Sequence, residues 1–108
     1  METVIIGSGN VAYHLAKAFT QNGIAVKQIF GRNEEALKTI SEENNIPYST
    51  EKLADADFYL ICVSDSAVEE ISKIIDKKDC LVAHTSGSLP KEILVGEYRK
   101  ASFYPLQT

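Results

Sequence analysis

The 108-residue chain lacks three features that would each place it in a distinct class of protein. It has no hydrophobic run near the roughly 20 residues of a membrane-spanning helix, so no membrane partner is expected. Positive charge is not in excess, because 11 Lys and Arg stand against 15 Asp and Glu; a nucleic-acid-binding surface is therefore not predicted. A signal peptide is not predicted either, since Glu2 lies where positive charge is required. We expect a cytoplasmic protein.

Cysteine and histidine are also scarce, with two residues of each type. Cys62 and Cys80 each lie in an apolar run that is typical of a buried strand. At this density in a cytoplasmic protein, a disulfide is not expected. His14 and His84 lie far apart in the sequence and there is no C-x-x-C pattern, so no metal site is predicted.

Apolar residues alternate between strand-like and helix-like segments, without repeats or linkers. Helices of about ten residues between strands indicate a parallel sheet, and right-handed crossovers favour a doubly wound one. We therefore predict one α/β domain over residues 1–108, a mostly parallel Rossmann sheet of about six strands. The predicted strands are 3–6, 24–30, 46–49, 57–63, 80–83 and 102–104. The first two predicted helices span residues 10–21 and 33–43, and residues 50–54 are predicted to form a short helical turn. A further helix is predicted from the capping box at 66–69, with positions 68, 71, 74 and 75 on its buried face, and a short helix is predicted from Ser88.

The segment Gly7-Ser8-Gly9-Asn10-Val11-Ala12 follows the first predicted strand and opens an amphipathic helix. It fits the pattern G-x-G-x-x-A of dinucleotide-binding turns. The first glycine permits a tight turn, the second leaves room for a pyrophosphate, and the alanine lets the helix pack against the sheet. Free N–H groups at the helix start would bind the phosphates. The alternative is a purely structural turn. A Walker A loop is excluded, because no Gly-Lys-Ser/Thr follows.

The second predicted strand ends in Gly31-Arg32-Asn33, without the acidic residue that usually binds the ribose hydroxyls of NAD. A guanidinium at this position suits the 2′-phosphate of NADP. Gly31 would let the adenosine end approach, and Asn33 can cap the next helix while still offering a donor. We predict NADP rather than NAD as cofactor. The alternative is that Arg32 is a surface residue paired with Glu34 or Glu35.

Val63, Ser64 and Asp65 follow the fourth predicted strand, which lies next to the first in this topology. Ligands of doubly wound sheets bind at the carboxyl ends of the strands, near this switch point. We therefore predict that these residues contact the pyrophosphate or the nicotinamide ribose. The alternative is helix capping by Asp65 or Ser66, and both interpretations can hold at once.

The fifth predicted strand ends in His84-Thr85-Ser86-Gly87-Ser88. Thr85 and Ser86 are predicted to bind the cofactor, near the nicotinamide and any substrate. His84 is either a proton carrier or a structural histidine in a tight loop. A Ser-His-acid hydrolase is not supported, because no G-x-S-x-G turn is present.

The segments GSGNVA and GRN resemble the opening motifs of pyrroline-5-carboxylate reductases. Together with CVSDSAVEE, HTSGSL and YPLQT they more closely resemble a family of Rossmann-like NADP oxidoreductases related to deazaflavin-dependent NADP reductases. The resemblance covers essentially the whole chain. It implies that an all-helical domain, which completes the substrate pocket and the dimer, follows in such proteins and is absent from these residues. The chain alone would then be inactive, with an apolar patch near residues 98–106, and no catalytic residue is assigned.

Two functional classes follow from these observations. The first is the NADP(H)-binding domain of an oxidoreductase, which transfers a hydride to or from a small carbonyl or imine substrate. The second is a dinucleotide-sensing regulatory module without chemistry. Modules of that kind, like proteins that bind S-adenosylmethionine, usually keep the acidic residue that this chain lacks. The expected partners are the dinucleotide, a small-molecule substrate and further copies of the chain.

Overall fold

Within residues 1–103, six parallel strands form one sheet in the order β3-β2-β1-β4-β5-β6. The structure, a computed structural model, describes residues 1–103. The chain starts in the middle of the sheet, winds outward to β3, and returns to the centre at β4. This order confirms the predicted doubly wound α/β fold. The strands are β1 (Thr3–Ile6), β2 (Val26–Phe30), β3 (Tyr48–Ser49), β4 (Phe58–Ile61), β5 (Leu81–His84) and β6 (Arg99–Ser102).

Three helices connect these strands: α1 (Asn10–Gln21), α2 (Glu34–Asn44) and α3 (Asp65–Ser72). A 3₁₀ turn (Lys91–Ile93) lies between β5 and β6. α2 begins where predicted, because the Asn33 side chain accepts a hydrogen bond from the backbone N–H of Ala36 at 3.1 Å. After α1, Gly23 adopts a φ of 74°, which suits glycine at the end of a helix.

The helices cover both faces of the sheet and create two hydrophobic cores. Ile5 and Ile6 are neighbours on β1 but belong to different cores, because side chains alternate across a strand. Ile5 packs with Leu15 of α1 and Leu37 of α2, whereas Ile6 packs with Val68 of α3. Burial on both faces explains why the central strands are apolar throughout.

Two predictions were wrong: the residue at which α3 begins, and the helical turn at residues 50–54. α3 begins at Asp65 with Ser64 as its N-cap, so Ser66 lies inside the first turn and the predicted capping box does not form. Residues 50–54 are not helical. The buried side chain of Gln28 fixes that segment instead, because its carboxamide bonds to the Lys52 carbonyl and to the Ala54 N–H, each at 2.9 Å.

The segment after β5 also differs from the prediction. The helix expected from Ser88 is reduced to the 3₁₀ turn after Pro90. β6 spans residues 99–102 rather than 102–104, because its register pairs Ser102 with His84; Tyr104 lies outside the described residues. In the described part of the expected apolar patch, Tyr98 is buried and Phe103 is half-buried. The rest of the expected patch, residues 104–106, lies outside the described residues, and so does the whole YPLQT motif (residues 104–108).

Candidate functional site

A cleft of about 520 Å³ opens where β1, β2 and β4 end. It lies at the switch point of the sheet, where the connection after β1 passes through α1 to β2 on one side and the connection after β4 passes through α3 to β5 on the other. The residues that line it are Ile6, Gly7, Ser8, Gly9, Phe30, Gly31, Arg32, Asn33, Thr50, Cys62, Val63, Ser64, Ala67, Ile71 and Ile74. Three sequence segments that are distant along the chain therefore meet in one place.

Most of the predicted site residues line this cleft. Its walls include the two glycines and the serine of the turn after β1, the three residues 31–33 after β2, and Val63 and Ser64 after β4. The remaining predicted residues do not line the cleft. They are Asn10, Val11, Asp65, Thr85 and Ser86.

Gly7 is required by the fold. Its φ is 137°, and a Cβ atom there would come within 2.2 Å of the Cys62 carbonyl oxygen. Its N–H also donates to the Phe30 carbonyl oxygen at 2.7 Å, which ties the turn to the end of β2. A side chain at this position would separate β1 from β4.

Gly9 differs from Gly7, because nothing in the described residues requires glycine at that position. Its φ of −84° is open to any residue, and a Cβ atom there would meet nothing within 4 Å among residues 1–103. The absence of a side chain therefore leaves free space beside the cleft. This space is open to a bound molecule.

The N-terminus of α1 is the least neutralised of the three helix N-termini. Within residues 1–103, α1 has no side-chain cap and no acidic residue in its first turn. By contrast, α2 has the Asn33 cap and two glutamates, and α3 has Asp65 in its first turn. The free N–H groups and the positive end of the helix dipole at α1 therefore favour an anion.

Arg32 extends from the end of β2 into the cleft wall and is exposed. It forms no salt bridge with any residue in the described part of the chain. Glu34, one of its two predicted partners, instead accepts a hydrogen bond from the Tyr48 hydroxyl at 3.1 Å. The guanidinium is thus a cation at the rim of the cleft, next to Asn33 and Thr50.

Sequence reasoning missed the apolar wall of the cleft, which Ala67, Ile71 and Ile74 provide. Helical spacing predicted that Ile74 is buried, but it is 43% exposed. The reason is that α3 ends at Ser72, so Ile74 leaves the buried stripe and faces the cleft. Thr50 was missed as well, since its place depends on β3 pairing with β2.

The loop after β5 is held in place by the buried ring of His84 and by a contact with the start of α3. The buried ring of His84 accepts a hydrogen bond from the Ser86 N–H at its Nδ1 (3.1 Å), and its Nε2 lies 3.0 Å from the Pro90 carbonyl oxygen. The Ser88 hydroxyl donates to Asp65 Oδ2 at 2.7 Å. Asp65 therefore joins the start of α3 to this loop, and the N-cap position itself is taken by Ser64.

Cys62 also lines the cleft, but it is not a reactive thiol. Burial raises the pKa of Cys62 to about 12, and the nearby Thr85 side chain offsets only part of this effect. A thiol with that pKa is protonated at neutral pH and is a poor nucleophile.

Among residues 1–103, no cluster of His, Cys, Asp and Glu could hold a metal ion. No helix in this range has both the length and the hydropathy to cross a bilayer.

The two glycines give a direct test of these structural roles. Gly7→Ala should lower the free energy of unfolding by about 3 kcal/mol or more, because it adds a strained φ and a clash with the Cys62 carbonyl. Gly9→Ala should cost about 1 kcal/mol or less, the difference between glycine and alanine at an N-cap. Urea unfolding of both variants measures the contrast, and equal losses would contradict the assignment.

The contact between Ser88 and Asp65 predicts a pH effect. The hydrogen bond from the Ser88 hydroxyl, together with the nearby Ser86 hydroxyl, lowers the pKa of Asp65. A carboxyl group whose pKa is lower in the folded state stabilises the fold above its unfolded pKa, and this contribution disappears as the pH falls through the folded value. Ser88→Ala should therefore raise the pKa of Asp65 toward its ordinary value. Carboxyl-carbon NMR titrations of both proteins provide the measurement, and an unchanged Asp65 pKa would disprove the contact.

The topology and the cleft at the switch point define a Rossmann-like α/β domain. The chain belongs to the family described as NADP oxidoreductase, coenzyme F420-dependent, whose sequence profile matches residues 2–87. This match confirms the resemblance that the sequence motifs indicated. Among curated proteins, none matches the chain significantly.

Several solved structures share the fold. A Bacteroides fragilis protein assigned as an NADP oxidoreductase is 32% identical over 99% of this chain, with a TM-score of 0.87. A 1-pyrroline-5-carboxylate reductase from Streptococcus pyogenes is 20% identical over 87% of the chain, with a TM-score of 0.65. A pyridine carboxylic acid 5-dehydrogenase, described as an NAD⁺-dependent dismutase, is 16% identical over 89%, with a TM-score of 0.71. The chain spans 44%, 37% and 41% of these proteins, respectively, which is less than half of each.

Proposed function

We propose that the cleft binds NADP(H) and that the chain supplies the cofactor-binding half of an oxidoreductase. The observation that carries this proposal is the start of α1. In the described part of the chain, this helix has no side-chain cap and no acidic residue in its first turn, and it faces open space at Gly9, at the switch point of a doubly wound sheet. The pyrophosphate of a dinucleotide has the charge and the size for this position. Membership of an NADP oxidoreductase family supports the same conclusion.

The end of β2 supports a cofactor with a 2′-phosphate. Arg32 has no carboxylate partner in the described residues, and it lies on the cleft with Asn33 and Thr50. A guanidinium binds a phosphate through two parallel hydrogen bonds, and neighbouring hydroxyl and amide groups can add further donors. The second strand ends in Phe30-Gly31 with no acidic residue to bind the ribose hydroxyls that NAD presents. We therefore propose NADP(H) in preference to NAD(H).

The apolar wall of the cleft supports a bound base next to that phosphate. Ile71 and Ile74 line the same cleft as Arg32, and the exposure of Ile74 leaves apolar surface open to water. A planar base that covers such surface gains the hydrophobic free energy of burial, about 25 cal/mol per Å². The adenine of the dinucleotide is the group that the cofactor would bring to this wall.

The nicotinamide supplies hydride chemistry when it is bound. The chain's own part is to bind the phosphates, fix the adenosine end and orient the rest of the cofactor past β4. We propose a small carbonyl or imine compound as the hydride acceptor or donor, with catalysis dependent on residues outside this half. The cytoplasmic location and a homo-oligomeric state stay predictions from the sequence.

Arg32→Ala should discriminate between the two cofactors. Loss of a charge-assisted hydrogen bond to the 2′-phosphate should weaken NADPH binding on the order of 1.5–3 kcal/mol, and NADH binding should change little. Isothermal titration of both cofactors makes the measurement. Lys38→Ala is the matched control, because it removes an exposed positive charge from α2 outside the cleft. Equal or tighter binding of NADH by the unaltered chain would sink the preference for NADP.

Gly9→Val should abolish binding of both NADPH and NADH, because the side chain occupies the space proposed for the pyrophosphate that the two cofactors share. The domain should remain folded, since the residues around position 9 leave room for a side chain. Ala18→Val on the exposed face of α1 is the control for the added bulk. Unchanged affinity in folded Gly9→Val would mean that the turn is structural only.

A further inference from the structure

The loop that follows β5, residues 85–90, is built on a buried histidine. His84 has no solvent exposure and ends β5, where its backbone is paired with β4 and β6. The neighbouring Thr85 N–H donates to the Ile61 carbonyl oxygen at 3.2 Å, and the His84 carbonyl accepts from the Phe103 N–H at 2.8 Å. The backbone that carries the ring is therefore fixed by the sheet on both sides, and the ring itself is enclosed by protein.

Both ring nitrogens of His84 contact backbone groups whose hydrogen-bonding roles are fixed. The Ser86 N–H can only donate, so Nδ1, 3.1 Å away, must carry a lone pair. The Pro90 carbonyl can only accept, so Nε2, 3.0 Å away, must carry the proton. These two contacts permit one state of the ring, the neutral Nε2–H tautomer. They also leave His84 no free nitrogen for proton transfer to a substrate.

The hydrogen bonds continue from this loop to α3. The Ser86 hydroxyl lies 3.2 Å from the Ser88 hydroxyl and accepts from the Ser88 N–H at 3.3 Å. The Ser88 hydroxyl donates in turn to Asp65 Oδ2 at 2.7 Å. An unbroken series of contacts thus joins the buried ring to the first residue of α3, whose N-cap Ser64 lines the cleft.

We propose that His84 is a positioning residue: its Nε2–H tautomer fixes the 85–90 loop, and through Ser88 and Asp65 it fixes the end of the cleft beyond β4. This proposal rests on the proposed function for the identity of the ligand. With the adenosine end at Arg32 after β2, the other half of an extended dinucleotide runs past β1 toward β4 and β5. The hydrogen bond from this loop to α3 reaches the first residue of the helix, Asp65, whereas Ile71 and Ile74 of the apolar wall lie toward its other end. The loop therefore supports the nicotinamide half and not the adenosine half.

The tautomer is measured directly on the 108-residue chain labelled with ¹⁵N-histidine. Two-dimensional NMR should show one neutral imidazole with a protonated Nε2 and an unprotonated, hydrogen-bonded Nδ1. The exposed ring of His14 serves as the internal reference. A protonated Nδ1 at His84, or an average of both tautomers, would overturn the proposal.

Two substitutions then test whether the ring positions the loop. His84→Leu removes both contacts, whereas His84→Asn keeps a carboxamide oxygen where Nδ1 accepts from Ser86. Amide hydrogen exchange at Ser86 should accelerate about tenfold in His84→Leu, because the Ser86 N–H loses its acceptor, and His84→Asn should restore most of the protection. Unchanged protection in His84→Leu, or no rescue in a folded His84→Asn, would contradict the proposal.

Ligand affinity separates a positioning role from a general structural one. The probes are NADPH and 2′,5′-ADP, which carries the adenosine half alone. We expect His84→Leu and Ser88→Ala to weaken NADPH about tenfold and to leave 2′,5′-ADP unchanged, whereas Arg32→Ala weakens both. Equal losses for both ligands in the His84 and Ser88 variants would indicate that His84 only stabilises the fold. If the unaltered chain binds neither ligand, the proposed function fails, and the tautomer and Ser86 exchange still decide whether His84 fixes the loop.

Discussion

The rest of the structure depends on the close approach of β1 and β4 at their carboxyl ends. The backbone of Gly7 lies so near the Cys62 carbonyl that no side chain fits between them. This contact keeps the carboxyl ends of β1 and β4 close together. The hydrogen bond from the Gly7 N–H to the Phe30 carbonyl oxygen keeps the end of β2 beside them. The three strand ends that form the cleft are therefore fixed by one residue without a side chain.

Around that point the three helices distribute charge differently. α2 and α3 start with acidic residues, and α2 has a side-chain cap as well. α1 has neither within the described residues, although it starts at the centre of the sheet. Local helix stability would favour a capping side chain at α1, and glycine in its place costs a few tenths of a kcal/mol. A bound anion would offset that cost, and Arg32 at the next strand end would add a second positive group for the same ligand.

The sequence predicted the doubly wound fold and the exact bounds of β1 and α1, because both have strong local signals: a short apolar strand, a glycine turn and apolar residues at helical spacing. It also predicted the residues of the cleft that lie directly at strand ends. Predictions were wrong where contacts distant in sequence overrode local preference. Gln28 holds residues 50–54 in a non-helical path. Pairing with β5 places Ser102 opposite His84, so β6 begins three residues earlier than predicted, at Arg99.

The sequence by itself determined the chemistry available at each strand end, since residue types and their order along strands and helices are local properties. Only the tertiary structure decided which of those ends meet. It brought Arg32, Thr50 and Ile74 to one cleft, because β3 pairs with β2 and α3 stops before Ile74. It also decided the contacts of His84, whose two ring nitrogens both lie within hydrogen-bond distance of backbone groups of the following loop. Such contacts depend on side-chain direction and on strand register, neither of which the order of residues alone specifies.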